Sequence, residues 1–152
     1  MARNVRLTDH GWSRIRKAAR MLDGAAVKVG ISASTAGTEV VERAIHNEYG
    51  TEHIPARPFM RHTADRHEAE IRKVARAAAA GLLSGRVTVR GVLDTVGVRY
   101  QTWMKQVVRT SKSWAAPNAP ATLDQKKGDI PLIDTGDLEK FIQYEKILGP
   151  RR

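Results

Sequence analysis

His46-Asn47-Glu48-Tyr49-Gly50-Thr51-Glu52-His53-Ile54-Pro55-Ala56-Arg57-Pro58-Phe59-Met60 carries the reading on which the fold turns. Upstream of it, Thr38 is placed to cap a helix whose apolar positions Val41, Ala44, Ile45 and Tyr49 fall on one face. Gly50 supplies the left-handed residue that ends this helix. Pro55 and Pro58 then bracket Arg57 in an extended, stiff segment with few backbone donors, and Phe59 and Met60 follow at once. An apolar anchor on a rigid arm suits docking on another surface, and it equally suits tucking Phe59 into the chain's own core. The residues alone weigh these two readings evenly.

Working outward, Trp12, Ile15, Ala19 and Leu22 recur at helical spacing, with Arg14, Arg16, Lys17 and Arg20 between them. Thr8 or Asp9 is placed to cap that helix and Asp23-Gly24 to stop it. Val27, Val29 and Ile31 alternate as in a strand, and Ser32 to Gly37 reads as a mobile small-residue loop. Beyond the arm, the longest helix is expected to open at Thr63 and Asp65, with Glu68 completing a capping box. Its buried stripe is Ile71, Val74, Ala75, Ala78 and Leu82, and Gly81 and Gly85 mark its end. Val92, Val96, Tyr100, Met104 and Val107 define another helix, which Gly97 weakens by roughly 1 kcal/mol relative to alanine.

From Thr110 to Pro131 no period survives, so this stretch is expected as a flexible arm or long loop. Trp114 stands in it without a periodic neighbour, which suits an interface anchor that is wet in the lone subunit and covered on assembly. Thr135 is placed to cap a short final helix carrying Leu138 and Phe141, and Ile142 and Tyr144 share one face of a strand. The expected class is α+β: one small helix-rich domain over 1–152, with a short sheet and long extended arms that contact neighbouring subunits.

Composition narrows the function. The chain has 152 residues, no cysteine, 41% hydrophobic residues but only 5% aromatic, and a net charge of +10. Small apolar side chains bury little area each, so subunit contacts are expected to contribute stability. Without cysteine there are no disulfides, thiol chemistry or cysteine-rich zinc sites. The segment Met1 to Arg6 lacks the apolar core of a signal peptide and no run is long enough to cross a bilayer, so a soluble protein of the cytoplasm is expected. The charge points to an acidic partner, whether nucleic acid, an acidic neighbouring ring or the cell's RNA pool.

Catalytic patterns are missing. No phosphate-cradling glycine loop appears, and Gly81, Gly85 and Gly91 do not fit a dinucleotide fingerprint. His62 and His67 fall on different helical faces and His46 has only Glu48 nearby, so ordinary surface histidines are the better account than metal ligands. Glu68 and Glu70 read as solvated charges, and Ser32, Ser34 and Thr35 have no local base. No catalytic residue, cofactor or metal is assigned, and an enzyme is not expected. Arg14, Arg16, Lys17 and Arg20 suit a phosphate backbone, although a helix's solvent face explains them better. Trp103, beside the Tyr100–Met104 stripe, reads as core.

The sequence also carries a resemblance. Glu48, Tyr49, Gly50 and Thr51, then Pro55, Ala56, Arg57, Pro58 and Phe59, resemble a signature of the neck and tail-completion proteins of tailed bacteriophages. Pro131, Leu132, Asp134, Thr135, Gly136 and Leu138 resemble that family's downstream signature, and Lys126-Lys127-Gly128 its basic approach. The likeness runs from about Val27 to Ile147, its specific motifs being the two blocks. It implies a structural virion protein at the head–tail junction: a small α+β subunit assembled as a homo-oligomeric ring in the host cytoplasm. The implied neighbours are the portal or adaptor proteins of the head connector and the tail terminator or tail tube. Genomic DNA would pass through the lumen, and no membrane is involved. The chain stops soon after Ile147, so a large regular sheet within one subunit is not expected. Tyr49, Pro55, Arg57, Pro58, Phe59, Met60, Trp114, Leu132 and Ile133 are the expected interface residues. The rival reading is a basic nucleic-acid-binding protein, which explains the charge but neither block.

Overall fold

The computed structural model describes residues 11–126 and 128–149. Helix α1 (Trp12–Leu22) leads through Gly24 into strand β1 (Ala26–Gly30) and a single turn, α2 (Ala33–Ala36). Helix α3 (Thr38–Tyr49) ends at Gly50, and the proline-bracketed arm joins it to α4 (Phe59–Leu83), the longest helix at 25 residues. Helix α5 (Val89–Arg109) runs back against α4, with Thr88 capping it by accepting from the Gly91 N–H. The long connection that follows holds a 3-10 turn (Ser111–Ser113) and the short α6 (Pro120–Leu123). A last turn, α7 (Asp137–Lys140), precedes strand β2 (Gln143–Ile147), which pairs antiparallel with β1 so that Val29 faces Tyr144. The protein is therefore a small α+β domain, rich in helix, with one two-stranded sheet. Among the described residues no helix is long and apolar enough to cross a membrane.

The core lies where α5 meets the arm and the C-terminal elements. Phe59, Met104, Val108 and Ile142 are its largest closed side chains, with Ala44, Val107, Leu132 and Leu138 around them. A smaller cluster of Leu82, Val89 and Leu93 closes the far end of the α4–α5 hairpin against Val27.

Several local expectations are corrected. Gly37, with φ +81°, takes the position before α3, and Thr38 is already helical, so it does not cap. Ser32–Gly37 contains the turn α2 rather than loop alone. The core-facing side of α3 is Val40, Ala44 and Glu48, while Ile45 is 49% and Tyr49 72% exposed. These two residues come one position after the buried row, about 100° round the helix. Helix α4 begins at Phe59, so Thr63 and Asp65 do not open it: Thr63 is buried and donates to the Phe59 carbonyl at 2.7 Å. Glu68 pairs with Arg72 at 2.5 Å instead of closing a capping box. Gly136, not Thr135, directly precedes α7, and the Thr135 hydroxyl reaches Asp137 at 2.5 Å. The suggested caps Thr8 and Asp9 lie outside the described residues.

Strand β2 is held by one face of α5. Asp94 accepts from the Tyr144 hydroxyl at 3.0 Å and from Lys146 at 2.5 Å, and Gln101 donates to the Ile142 carbonyl at 2.8 Å. Between them, Gly97 lets the Tyr144 ring lie on the helix backbone, because a Cβ there would sit 2.2 Å from the ring's Cδ2. Gly97→Ala would gain about 1 kcal/mol of helix propensity, but the ring cannot retreat without breaking its bond to Asp94, and overpacking costs about 1–3 kcal/mol. Net destabilisation is expected, read by urea unfolding; a more stable variant would refute the packing account.

The hydrogen bonds from Lys146 and Tyr144 hold the Asp94 carboxyl below its ordinary value. The folded state therefore binds a proton there less readily than the unfolded chain. This stabilisation is complete above the unfolded carboxylate value of about 3.9 and is lost as pH falls through the folded one. Asp94→Asn is expected to flatten the acid limb of the stability curve measured by urea unfolding, with wild type losing the difference as pH falls.

Candidate binding cleft

The arm between α3 and α4 is folded onto its own subunit by three residues. Glu48, 5% exposed, turns its carboxylate toward the start of α4 and accepts from the Met60 N–H at 2.9 Å and the Arg61 N–H at 3.2 Å. It thereby caps a helix whose first turn has no acidic residue, placing negative charge at the positive end of the helix dipole. Arg61 returns the contact, Nε to the carboxylate at 3.2 Å and Nη2 to the Glu48 carbonyl at 2.7 Å. Gly50, at φ +77°, gives the turn its shape: a Cβ there would meet the Ala56 nitrogen and the Ile54 carbonyl at 3.0 Å. Thr51 closes the loop by accepting from the Ile54 N–H at 3.0 Å.

Arg57 is the second tie, 7% exposed. Its N–H donates to the Asn47 carbonyl, and its side chain donates to the Ala116 carbonyl at 2.8 Å, the Pro117 carbonyl at 3.0 Å and Asn118 Oδ1 at 3.3 Å. A further N–H points at Asn47 Oδ1 at 3.4 Å. The planar fork suits this spread of acceptors, which a lysine point charge would not reach. Phe59 is the third tie, wholly buried in the core.

The expected interface residues are thereby separated. Phe59, Arg57 and Leu132 are enclosed within the subunit, and the apolar anchor docks on the chain's own core. Trp114, expected wet, is half-buried: its Nε1 donates to the Val107 carbonyl at 3.0 Å and its ring stacks on His62 at 4.2 Å. The α5 helix end and α4 supply the neighbours that its own segment lacks. Pro58, Met60 and Ile133 are half-buried, and the latter two pack against the core. Pro55 and Tyr49 stay exposed, Tyr49 under the Arg61 guanidinium at 5.6 Å. The segment after α5 is tied at its base, where Lys112 pairs with Asp129 and the buried Ser111 hydroxyl accepts from the Leu132 N–H at 3.2 Å. His67 stacks on Trp103 at 4.4 Å, and burial lowers its pKa. Among the described residues no group of three or more His, Cys, Asp or Glu is arranged to hold a metal.

Both sequence blocks meet at one cleft of about 470 Å³. Asn47, Ile54, Pro55 and Arg57 form one wall, Asn118 and Lys126 of the long connection a second, and Leu132, Asp134, Asp137 and Leu138 a third. Lys126 donates to the Ile130 and Pro131 carbonyls, each at 3.3 Å. Burial pushes its ammonium below the ordinary value, against the pull of Asp134 and with a further push from Arg57. Burial lowers Arg57 as well. Asn118 spends its Oδ1 on Arg57, and its buried Nδ2 has no hydrogen-bond partner among the described residues. On the rim Arg43 pairs with Asp137 at 3.4 Å. A second hollow, of about 440 Å³, lies between α3 and α4 and is lined by Ile31, Val41, Ile45, Tyr49, Met60 and Ala64. Sequence reasoning missed Asn118 and the capping role of Glu48; the only signals are a carboxylate eleven positions ahead of an uncapped helix start and an asparagine after Pro117.

No family model, curated protein or solved structure matches this chain.

Two substitutions test the ties of the arm. Phe59→Ala is expected to lower the stability of the lone subunit by about 3–5 kcal/mol. Glu48→Gln keeps the shape but not the charge, and is expected to cost about 1–3 kcal/mol. Both losses should appear in thermal or urea unfolding of monomer; normal melting with failed assembly would show that the arm faces a neighbour.

Proposed function

We propose that this protein is a structural, non-catalytic subunit of the head–tail junction of a tailed bacteriophage, assembled in several copies about the tail axis. In that role it joins the head connector to the tail. The observation that carries the reading is the meeting of the two sequence blocks. Residues 48–59 and 131–138, far apart in the chain, share one core cluster and one cleft, so the resemblance rests on a single folded unit rather than on scattered matches. The exposed row of Ile45 and Tyr49 beside half-buried Met60 supports a subunit completed by its neighbours. Ring closure asks each copy to offer one surface and accept another.

Mass spectrometry of purified virions is expected to find the protein in multiple copies per particle. Its recovery only from infected-cell lysate, never from particles, would overturn the proposal. Duplex binding with a steep salt dependence, together with absence from particles, would favour the nucleic-acid reading, for which the exposed Arg16, Lys17 and Arg20 of α1 speak.

A further inference from the structure

Arg57 and Lys126 are an unusual pair of neighbours. Arg57 is buried and Lys126 half-buried, Lys126 feels the charge of Arg57, and neither makes an ion pair with a carboxylate among the described residues. Their donors end on neutral oxygens of the long connection and of Asn47. Buried cations are ordinarily balanced by a paired anion. Here the acid that acts on Lys126 is Asp134, which makes no hydrogen bond to it, while Asp137 is engaged by Arg43 and Thr135. Asn118 Nδ2, on the same wall, is a buried donor without an acceptor. The cleft thus presents surplus positive charge beside apolar surfaces from Ile54, Leu132 and Leu138, and Asn118 in its wall carries the unsatisfied N–H.

We infer that this cleft binds a carboxylate side chain, presented with flanking apolar residues by a short acidic segment of a different protein. A carboxylate supplies the acceptor that Asn118 lacks and the counter-charge that Arg57 and Lys126 lack, and charge-assisted bonds of this kind are the stronger class. The volume of about 470 Å³ suits a short segment. Asp134 and Asp137 at the rim oppose a phosphate backbone, which brings repeated negative charge. A second copy is a poor source, because each copy carries +10. The inference concerns the cleft alone and stands apart from where the protein works.

The test is an NMR titration of the full chain with the blocked tripeptide Leu-Glu-Leu, its Leu-Gln-Leu analogue, inorganic phosphate and a short DNA duplex. Saturable shifts are expected at the Asn118 side-chain amide and the Arg57 Nε–H for the glutamate peptide, with the glutamine analogue weaker by about tenfold or more. Lys126→Gln is expected to weaken the glutamate peptide about tenfold with normal melting, and Lys17→Gln on α1 to leave it unchanged. If Lys126→Gln does not fold, Asn118→Asp, which replaces the amide donor in the wall with a carboxylate oxygen that repels the ligand's, is expected to abolish binding. No saturable shift at Asn118, equal binding of the glutamine analogue, phosphate or duplex shifting the same groups as tightly, or equal weakening by Lys17→Gln would each overturn the inference.

Discussion

A guanidinium taken out of water costs several kcal/mol unless its donors find acceptors. Arg57 meets that demand with carbonyls and amide oxygens from two separate parts of the chain, Asn47 at the end of α3 and Ala116, Pro117 and Asn118 beyond α5. The oxygens of Ala116, Pro117 and Asn118 belong to no helix or strand that would hold them without the arginine. The arm, the last turn of α3 and the long connection therefore keep their mutual positions through one side chain. Removing it leaves several partly buried acceptors unpaired at once, so the loss exceeds that of any single bond. Pro55 and Pro58 matter in the same way: they limit the arm's conformations, so less freedom is lost when Arg57 reaches its partners.

The second constraint is the fit of β2 on α5. A two-stranded ribbon is marginal by itself in water. Here it is stabilised by a helix face on which Asp94, Gly97 and Gln101 recur about one turn apart, each engaging β2 or the residue before it. The arm and the strand meet in the same core, since Phe59 and Ile142 are both closed within it. Disturbing either one is felt at the other through shared packing rather than through any polar chain.

Periodicity revealed the elements whose partners are diffuse. The Val92–Val107 stripe of α5 and the alternation of Val27, Val29 and Ile31 depend on apolar burial, which repeats with the period of the structure. The start of α4 was not legible because its cap comes from Glu48, on another helix, and local spacing has no record of a contact made across space. The buried face of α3 was misread for the same reason. Counting Glu48 as polar put Ile45 and Tyr49 inside, whereas the charge is the residue that the core side requires. Trp114 lacked periodic neighbours because its partners, His62 and the Val107 carbonyl, lie on α4 and α5. Of the cleft, Arg57 and Leu132 stood out in the sequence, but Asn118 had no local pattern to announce it.

Charge completes the picture. The described ion pairs match one acid to one base, as in Arg61 with Glu48, Arg109 with Glu139 and Lys146 with Asp94, so they leave the net +10 untouched. Two parts of that surplus sit in contrasting places. On α1 it is solvated, where salt screens it and it draws any acidic body from a distance of about one Debye length. At Arg57 and Lys126 it is fixed, partly dehydrated and set in a shaped wall. Long-range attraction sets how fast partners meet, and a fixed desolvated charge sets which of them stays. At this one cleft, two of the chain's positive charges are held in a geometry proposed to suit a single carboxylate rather than a polyanion.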